Sequence, residues 1–271
     1  MKLIVLSFFI ATIFSFSNAL ACSVVYYVDQ HSGKIYVANN EDYWYDVKAY
    51  IQIVPASKNQ HARLWYGWDN FAQGGINEAE LFFDGAVTPE QKVPRGYGKP
   101  KGNLGDEILA NCETVEQALE YLQHVHVALG NAHMMFGDST GNAVVVEWIN
   151  GERTLIWIQN NTLVMTNFLL SDTSAGNYPC YRYNSIEDRI NSLQKSDESA
   201  ALRDVGNTLD QAAQLPQQNE TGKTGGTLYS TFMCISDMEF ILVYKLDNSK
   251  ITKINLREEF NNNSRKKIKL K

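Results

Sequence analysis

The 271-residue sequence has few of the features that mark several large classes of protein. It contains four cysteines, Cys22, Cys112, Cys180 and Cys234, widely separated and with no C-x-x-C among them, so neither a zinc ribbon nor a redox motif is written into the chain. Basic residues are not in excess: 24 Lys and Arg stand against 30 Asp and Glu, a net charge of −6, which argues against a nucleic-acid binder. There is no H-E-x-x-H, no G-x-S-x-G and no phosphate-binding glycine loop. His124 and His126 are two apart on an expected helix end and do not face one another, so with His133 they make no convincing metal site. No internal repeat or low-complexity linker divides the chain. Beyond the N-terminal segment no apolar run is long enough to span a bilayer. What remains is 44% hydrophobic and 20% charged, a globular composition rather than a disordered, collagen-like or coiled-coil one.

The N-terminus carries the first positive signal. Lys2 precedes the apolar run Leu3 to Phe14, polar Ser15, Ser17 and Asn18 follow, and Ala19-Leu20-Ala21 ends the segment. A basic start, a short apolar stretch and small residues at alternate positions describe a secretory signal cleaved after Ala21, predicting a secreted or periplasmic protein. Cleavage there makes Cys22 the first residue of the mature chain. Three readings of that position stand side by side: a cysteine that joins a disulfide, a lipidated anchor, or an N-terminal nucleophile. The chemistry of the third is direct, because a free α-amino group has a reference pKa of about 7.7–8.0 and can serve as base for its own thiol. A catalytic Cys22 leaves Cys112, Cys180 and Cys234, among which at most one bridge can form.

Pattern along the chain predicts strands over Ser23–Val28 and Lys34–Ala38 around a Gln30–Gly33 turn, then Tyr50–Val54 and Arg63–Trp68. Phe71–Asp84 is apolar with an interrupting Gly74-Gly75, and Pro89–Gly102 reads as a loop. Thr114 is an expected N-cap for a helix with Val115, Leu119, Leu122 and Val125 on one face. A hairpin is expected from Ala132–Phe136 and Ala143–Trp148, with Leu155–Ile158 and Thr162–Met165 continuing the sheet. Helices are expected over Ser185–Leu193 and Leu202–Ala213, and Thr227–Tyr244 returns to strand. The basic end, Arg265 to Lys271, reads as a frayed, solvated tail. Strands, then helices, then strands again indicate a single α+β domain over residues 22–271, with two sheets and helices outside. Most of the aromatic cluster (Tyr43, Trp44, Tyr45, Trp65, Tyr66, Trp68, Phe71, Phe82, Phe83) is expected in the sheet core, with some rings available to line an apolar pocket. The three sequons, at Asn160, Asn219 and Asn262, matter only in a host that glycosylates.

Cys22 opening a hairpin that ends in Ala38-Asn39-Asn40-Glu41-Asp42-Tyr43-Trp44 resembles the choloylglycine hydrolase and penicillin V acylase family of N-terminal-nucleophile hydrolases, to which the acyltransferases of penicillin biosynthesis are related. Further similar stretches follow in order: Gln73-Gly74-Gly75-Ile76-Asn77-Glu78 with Leu81 to Asp84, then Val164-Met165-Thr166-Asn167, then Tyr178-Pro179-Cys180-Tyr181-Arg182-Tyr183, then Gly226 to Thr231 and on to Leu256. The resemblance implies a four-layer αββα sandwich that hydrolyses the linear amide of a small N-acyl compound through a thioester, with no cofactor. It implies Cys22 as nucleophile and Asp42 as the carboxylate holding the amine or thiol. Asn167 becomes an oxyanion donor, a role suited to a side-chain amide. Arg182 becomes the fixed positive charge beside the nucleophile. Asn77 lies in a matching motif and is carried as a possible site residue. Asn39 stands where bile-salt-cleaving members often carry arginine, Glu80 replaces a common glycine and Phe168 follows Asn167 in place of Asn or Ser; these departures bear on substrate more than on reaction. A homo-oligomer is compatible with the sequence. The competing reading from another class is a soluble or Cys22-anchored binding protein that keeps the fold without a nucleophile.

Overall fold

A computed structural model describes residues 22–271, so the expected signal segment lies outside the described residues. In chain order the elements are β1 (Ser23–Val28), β2 (Ile35–Trp44), β3 (Tyr50–Val54), β4 (Arg63–Trp68), β5 (Phe71–Asn77), β6 (Phe82–Val87), α1 (Leu104–Asn111), α2 (Val115–His124), β7 (Ala132–Gly137), β8 (Ala143–Ile149), β9 (Glu152–Trp157) and β10 (Thr162–Met165). There follow α3 (Tyr181–Gln194), α4 (Leu202–Asn207), β11 (Gln217–Gln218), β12 (Thr224–Cys234), β13 (Glu239–Tyr244), β14 (Ile251–Asn255), α5 (Leu256–Phe260) and β15 (Lys266–Lys269). One sheet runs β10-β1-β2-β12-β13-β14 with β11 added on β12, and the other β15-β3-β4-β5-β6-β7-β8-β9. Every pairing is antiparallel.

Alternation along the strands builds the layers. Successive side chains leave opposite faces of a strand, so Tyr26 and Tyr27, Trp65 and Tyr66, and Phe82 and Phe83 each divide between two cores. Val24, Tyr26 and Val37 of the first sheet meet Ile51, Leu64, Tyr66 and Phe82 of the second in a core between them. On the outer side of the first sheet, Val25, Tyr27 and Ala38 pack against Ile186 and Ile190 of α3 and Val205 of α4. On the outer side of the second, Trp65, Phe83, Phe136 and Trp148 pack against Ile108 of α1 and Leu119 and Leu122 of α2. The order is helix, sheet, sheet, helix, as expected. Because each sheet is covered on both faces, its strands read as near-continuous apolar runs.

Thr114 caps α2, its side chain accepting from the Gln117 amide, as expected. α3 starts at Tyr181 rather than Ser185; its first turn presents an exposed Tyr181 and a polar Arg182, so the apolar period begins late. The expected Leu202–Ala213 helix ends at Asn207, just after Gly206, and a short 3-10 turn at Asp210–Ala212 follows. The basic tail is not frayed. Lys266–Lys269 pairs with β3, setting Ile268 opposite Ile51, and Lys266 Nζ meets Glu259 at 2.7 Å; alternate residues pack while the lysines between them reach solvent. All four cysteines are free and buried, so the single bridge left open by the sequence does not form.

Candidate active site

Cys22 immediately precedes β1, and β1 lies beside β2 with Ser23 opposite Asn40. The two-residue period then sorts the polar end of this pair. Cys22, Asn39 and Glu41 point between the sheets, while Ser23, Asn40 and Asp42 point toward the α3 and α4 layer. Their partners agree: Asn39 reaches Asp84 of β6, whereas Asn40 donates to Leu209 O at 3.1 Å and Asp42 approaches Arg182 of α3. A bulge in β12 between Thr227 and Tyr229 lies opposite Asp42 and Glu41 and adjusts which side chain each meets.

On the helix side Arg182 is the hub. Its Nη1 donates to Cys22 O at 3.1 Å and to Ser23 Oγ at 3.4 Å, and both terminal nitrogens donate to Asn167 Oδ1 at 3.4 Å. Asp42 Oδ2 lies 3.8 Å from Nη1, and its Oδ1 accepts from Thr227 Oγ1 at 2.5 Å. Burial raises the Asp42 carboxyl to about 7 against the opposing pull of Thr227 and Arg182. Asn167, two residues beyond β10, donates through Nδ2 to Val87 O at 2.8 Å, and its carbonyl accepts from Asn177 Nδ2 at 2.8 Å.

Between the sheets the thiol of Cys22 donates to Glu41 Oε1 at 3.3 Å. Burial, and then the carboxylates of Glu41 and Asp42, push the thiol pKa well up. Glu41 is raised well above the usual carboxylate range by its own burial and then by Asp84. Asp84 Oδ2 accepts from Asn39 Nδ2 at 2.9 Å and Tyr66 Oη at 2.7 Å; burial still raises it to about 7. Gly74 leaves the room this contact needs, since a Cβ there would collide with both Tyr66 Oη and Asp84 Oδ2. Among the described residues, Glu41 Oε2 and Asp42 Oδ2 are buried acceptors with no hydrogen-bond donor.

The structure therefore brings together Cys22, Asp42, Asn167 and Arg182, each at most 7% exposed. Asn77 does not join them. Its Nδ2 donates to Leu109 O and Cys112 O at 2.9 and 2.7 Å and its Oδ1 accepts from Leu81 N at 3.0 Å, so its polar atoms hold the end of α1 to the β5–β6 turn. Glu41 and Asp84 went unnoticed in the sequence, although both sit inside motifs that had been singled out. Parity was the available signal, since Glu41 lies on the face of β2 that shares a core with Cys22. His124 and His126 are exposed, whereas His133 is fully buried against Glu147, so the three histidines do not converge.

A family profile described as acyl-coenzyme A:6-aminopenicillanic acid acyl-transferase matches residues 28–251, starting six residues after Cys22. Among solved structures the chain is similar to penicillin V acylase from Agrobacterium tumefaciens, at 18% identity and a TM-score of 0.72 over 91% of this chain and 90% of that one. It is also similar to two variants of conjugated bile acid hydrolase from Clostridium perfringens. One has 18% identity and a TM-score of 0.73 over 91% and 96% of the two chains; the other has 17% and 0.71 over 90% and 96%. These likenesses show an N-terminal-nucleophile hydrolase fold. No curated protein matches the chain.

Proposed function

The chain belongs to the acyl-coenzyme A:6-aminopenicillanic acid acyl-transferase family, and from that premise we propose that it is an exported N-terminal-cysteine amidase cleaving the linear amide of a small N-acyl compound. The observation that carries this reading is the convergence of the Cys22 carbonyl, Asn167 and Asp42 on the buried Arg182. Signal cleavage after Ala21 frees the α-amine of Cys22, and Asp42 Oδ2, which has no hydrogen-bond donor among the described residues, is available to hold it. The amine takes the thiol proton, and Sγ attacks the substrate carbonyl carbon to form the C–S bond. Asn167 Nδ2 turns from Val87 O to the developing oxyanion and donates to it in a water-poor site. The proton passes to the leaving nitrogen as the C–N bond breaks, giving a thioester; water then attacks the thioester carbonyl and restores the thiol. Arg182 holds the Cys22 carbonyl and the Asn167 amide oxygen, fixing nucleophile and donor relative to each other.

The acyl group is recognised chiefly by apolar contacts. Val87, Tyr178 and Tyr181, which are 59%, 49% and 65% exposed, belong to the segments around Asn167 and Arg182 and supply an apolar rim. Such contacts discriminate by only about 1–3 kcal/mol per methylene, so several N-acyl amides should be accepted. Membership of an acyl-transferase family favours a second outcome for the same thioester, transfer of the acyl group to an amine instead of water.

The test is intact mass of the protein recovered after export, alone and after rapid quenching with a panel of N-acyl amino acids, N-acyl homoserine lactones, penicillin V and conjugated bile salts. A chain starting at unmodified Cys22 that gains an acyl mass, with Cys22→Ala folded yet inert, is expected. A blocked or diacylated Cys22, or turnover by Cys22→Ala, refutes the mechanism.

A further inference from the structure

His133 and Glu147 are fully buried, lie outside the cluster around Cys22, and are absorbed by none of the roles above. They occupy neighbouring strands β7 and β8, whose register sets Met134 opposite Val146 and so His133 opposite Glu147. Met135 and Val145 on these strands face the core between the sheets, while Met134 and Val146 face the α1 and α2 layer. By the two-residue period His133 and Glu147 face between the sheets, toward the segment that leaves β10.

Their hydrogen bonds all end on that segment or on each other. His133 Nδ1 lies 3.0 Å from Glu147 Oε1, and Nε2 lies 2.7 Å from Thr166 O. Glu147 accepts from Leu170 N at 2.7 Å, from Ser171 N at 3.0 Å and from Ser171 Oγ at 2.5 Å. One side chain thus grips residue 166 and the other residues 170 and 171, and Asn167 sits between the two grips.

A peptide carbonyl can only accept, so His133 Nε2 carries a hydrogen and donates to Thr166 O. Glu147 is surrounded by donors from the backbone and Ser171. Burial alone would raise the Glu147 carboxyl, but the hydrogen bonds from His133 and Ser171 overcome it, and the group is held below its usual value. The pair is an imidazole and a carboxylate hydrogen-bonded in the sealed interior. Burying such a pair is poor value for stability, since a well-packed apolar replacement is often as stable. What it provides is fixed geometry, and a misplacement of about 1 Å at a reacting centre can cost on the order of 10²-fold in rate.

We propose that His133 and Glu147 are positioning residues: a buried hydrogen-bonded clamp that fixes the 166–171 segment and through it aims Asn167 at the oxyanion. The kinetic part of this proposal rests on the amidase reading; the clamp itself does not. Arg182 holds the Asn167 side chain from the helix side, and the clamp holds its backbone from the opposite sheet.

The experiment is a double-mutant cycle on the processed full-length protein, with His133→Leu, His133→Gln and Glu147→Gln made alone and with Asn167→Ala. His133→Leu is expected to lower kcat about 10- to 100-fold with KM changed less than about twofold, and His133→Gln, which can still donate to Thr166 O, to restore part of it. With Asn167 already Ala, the same changes should cost less than about threefold. Equal losses in both backgrounds would overturn the positioning role. Glu147→Gln keeps the shape and serves should His133→Leu fail to fold. Two readouts do not depend on turnover. Imidazole ¹⁵N shifts should show His133 Nε2 carrying a hydrogen, and Glu147→Gln should speed amide exchange at Leu170 and Ser171. A His133 Nε2 without a hydrogen or unchanged exchange refutes the clamp, whereas a wild-type protein with both signatures and no Cys22-dependent turnover refutes only the amidase reading.

Discussion

Cys22 Sγ donates a hydrogen bond to Glu41 Oε1 across 3.3 Å inside the space between two sheets. A thiolate and a carboxylate at that separation repel strongly wherever water is excluded, so the two groups titrate as a pair and do not ionise independently. The first proton lost from the pair need not come from sulfur, and full thiolate formation waits for the second. Relief of that coupling is the first expected consequence: in Glu41→Gln the thiolate needs only one ionisation. Its absorbance near 240 nm should titrate at lower pH than in wild type, because burial remains but the Glu41 charge is gone. A midpoint that does not move would mean that Glu41 carries no charge when the thiol ionises.

Asn167→Ala removes the side-chain donor proposed for the oxyanion and leaves Val87 O and the Arg182 guanidinium near an empty space. kcat should fall by roughly 10²–10³-fold with a smaller change in KM, the usual effect of deleting one oxyanion donor. A loss confined to KM would make Asn167 a substrate-binding group instead.

Asp84 makes stability depend on pH. Its carboxyl, normally at 3.8, is raised by burial to about 7 in the folded chain. Between those values the folded protein keeps a proton that the unfolded chain has released, so the folded state binds more protons and stability falls as pH rises. The wild-type Tm should therefore drop relative to that of Asp84→Asn between about pH 4 and pH 7 and level off above it. A difference that stays flat, or that grows with pH, contradicts the raised carboxyl.

Removing residues 265–271 deletes β15 and opens the edge of β3. Ile268 and Leu270, both partly buried against the inter-sheet core, are lost with it, at a cost of about 2 kcal/mol. A lowered Tm and concentration-dependent association through the bare edge are expected from calorimetry and light scattering. An unchanged Tm would return the tail to the frayed state its composition suggests.

The tail shows where reading the sequence stops. Lys266-Lys267-Ile268-Lys269 has a strand's alternation, but five of the last seven residues are basic, and charge alone reads as solvated. Only a β3 edge waiting for a partner turns the alternation into a strand. α1 was overlooked for a related reason: eight residues after a glycine- and proline-rich loop give too few turns for a period to stand out. By contrast β1, β3, β4, β10 and the capped start of α2 were legible, because runs of β-branched and aromatic residues, and a Thr before an apolar period, act locally.

Local pattern and motif order were enough for the layered α+β architecture and for three residues, Asp42, Asn167 and Arg182, that the fold gathers near Cys22. Only tertiary structure decided that Glu41 meets the thiol, that Asn77 serves α1, that the four cysteines stay apart, and that His133 with Glu147 holds the Asn167 segment from the opposite sheet. Alternation tells which face of a strand a side chain leaves. What waits on the other side of a core is set by how two sheets stack, and that depends on residues distant in the chain, 33 positions apart for His133 and Thr166 and 45 for Asn39 and Asp84.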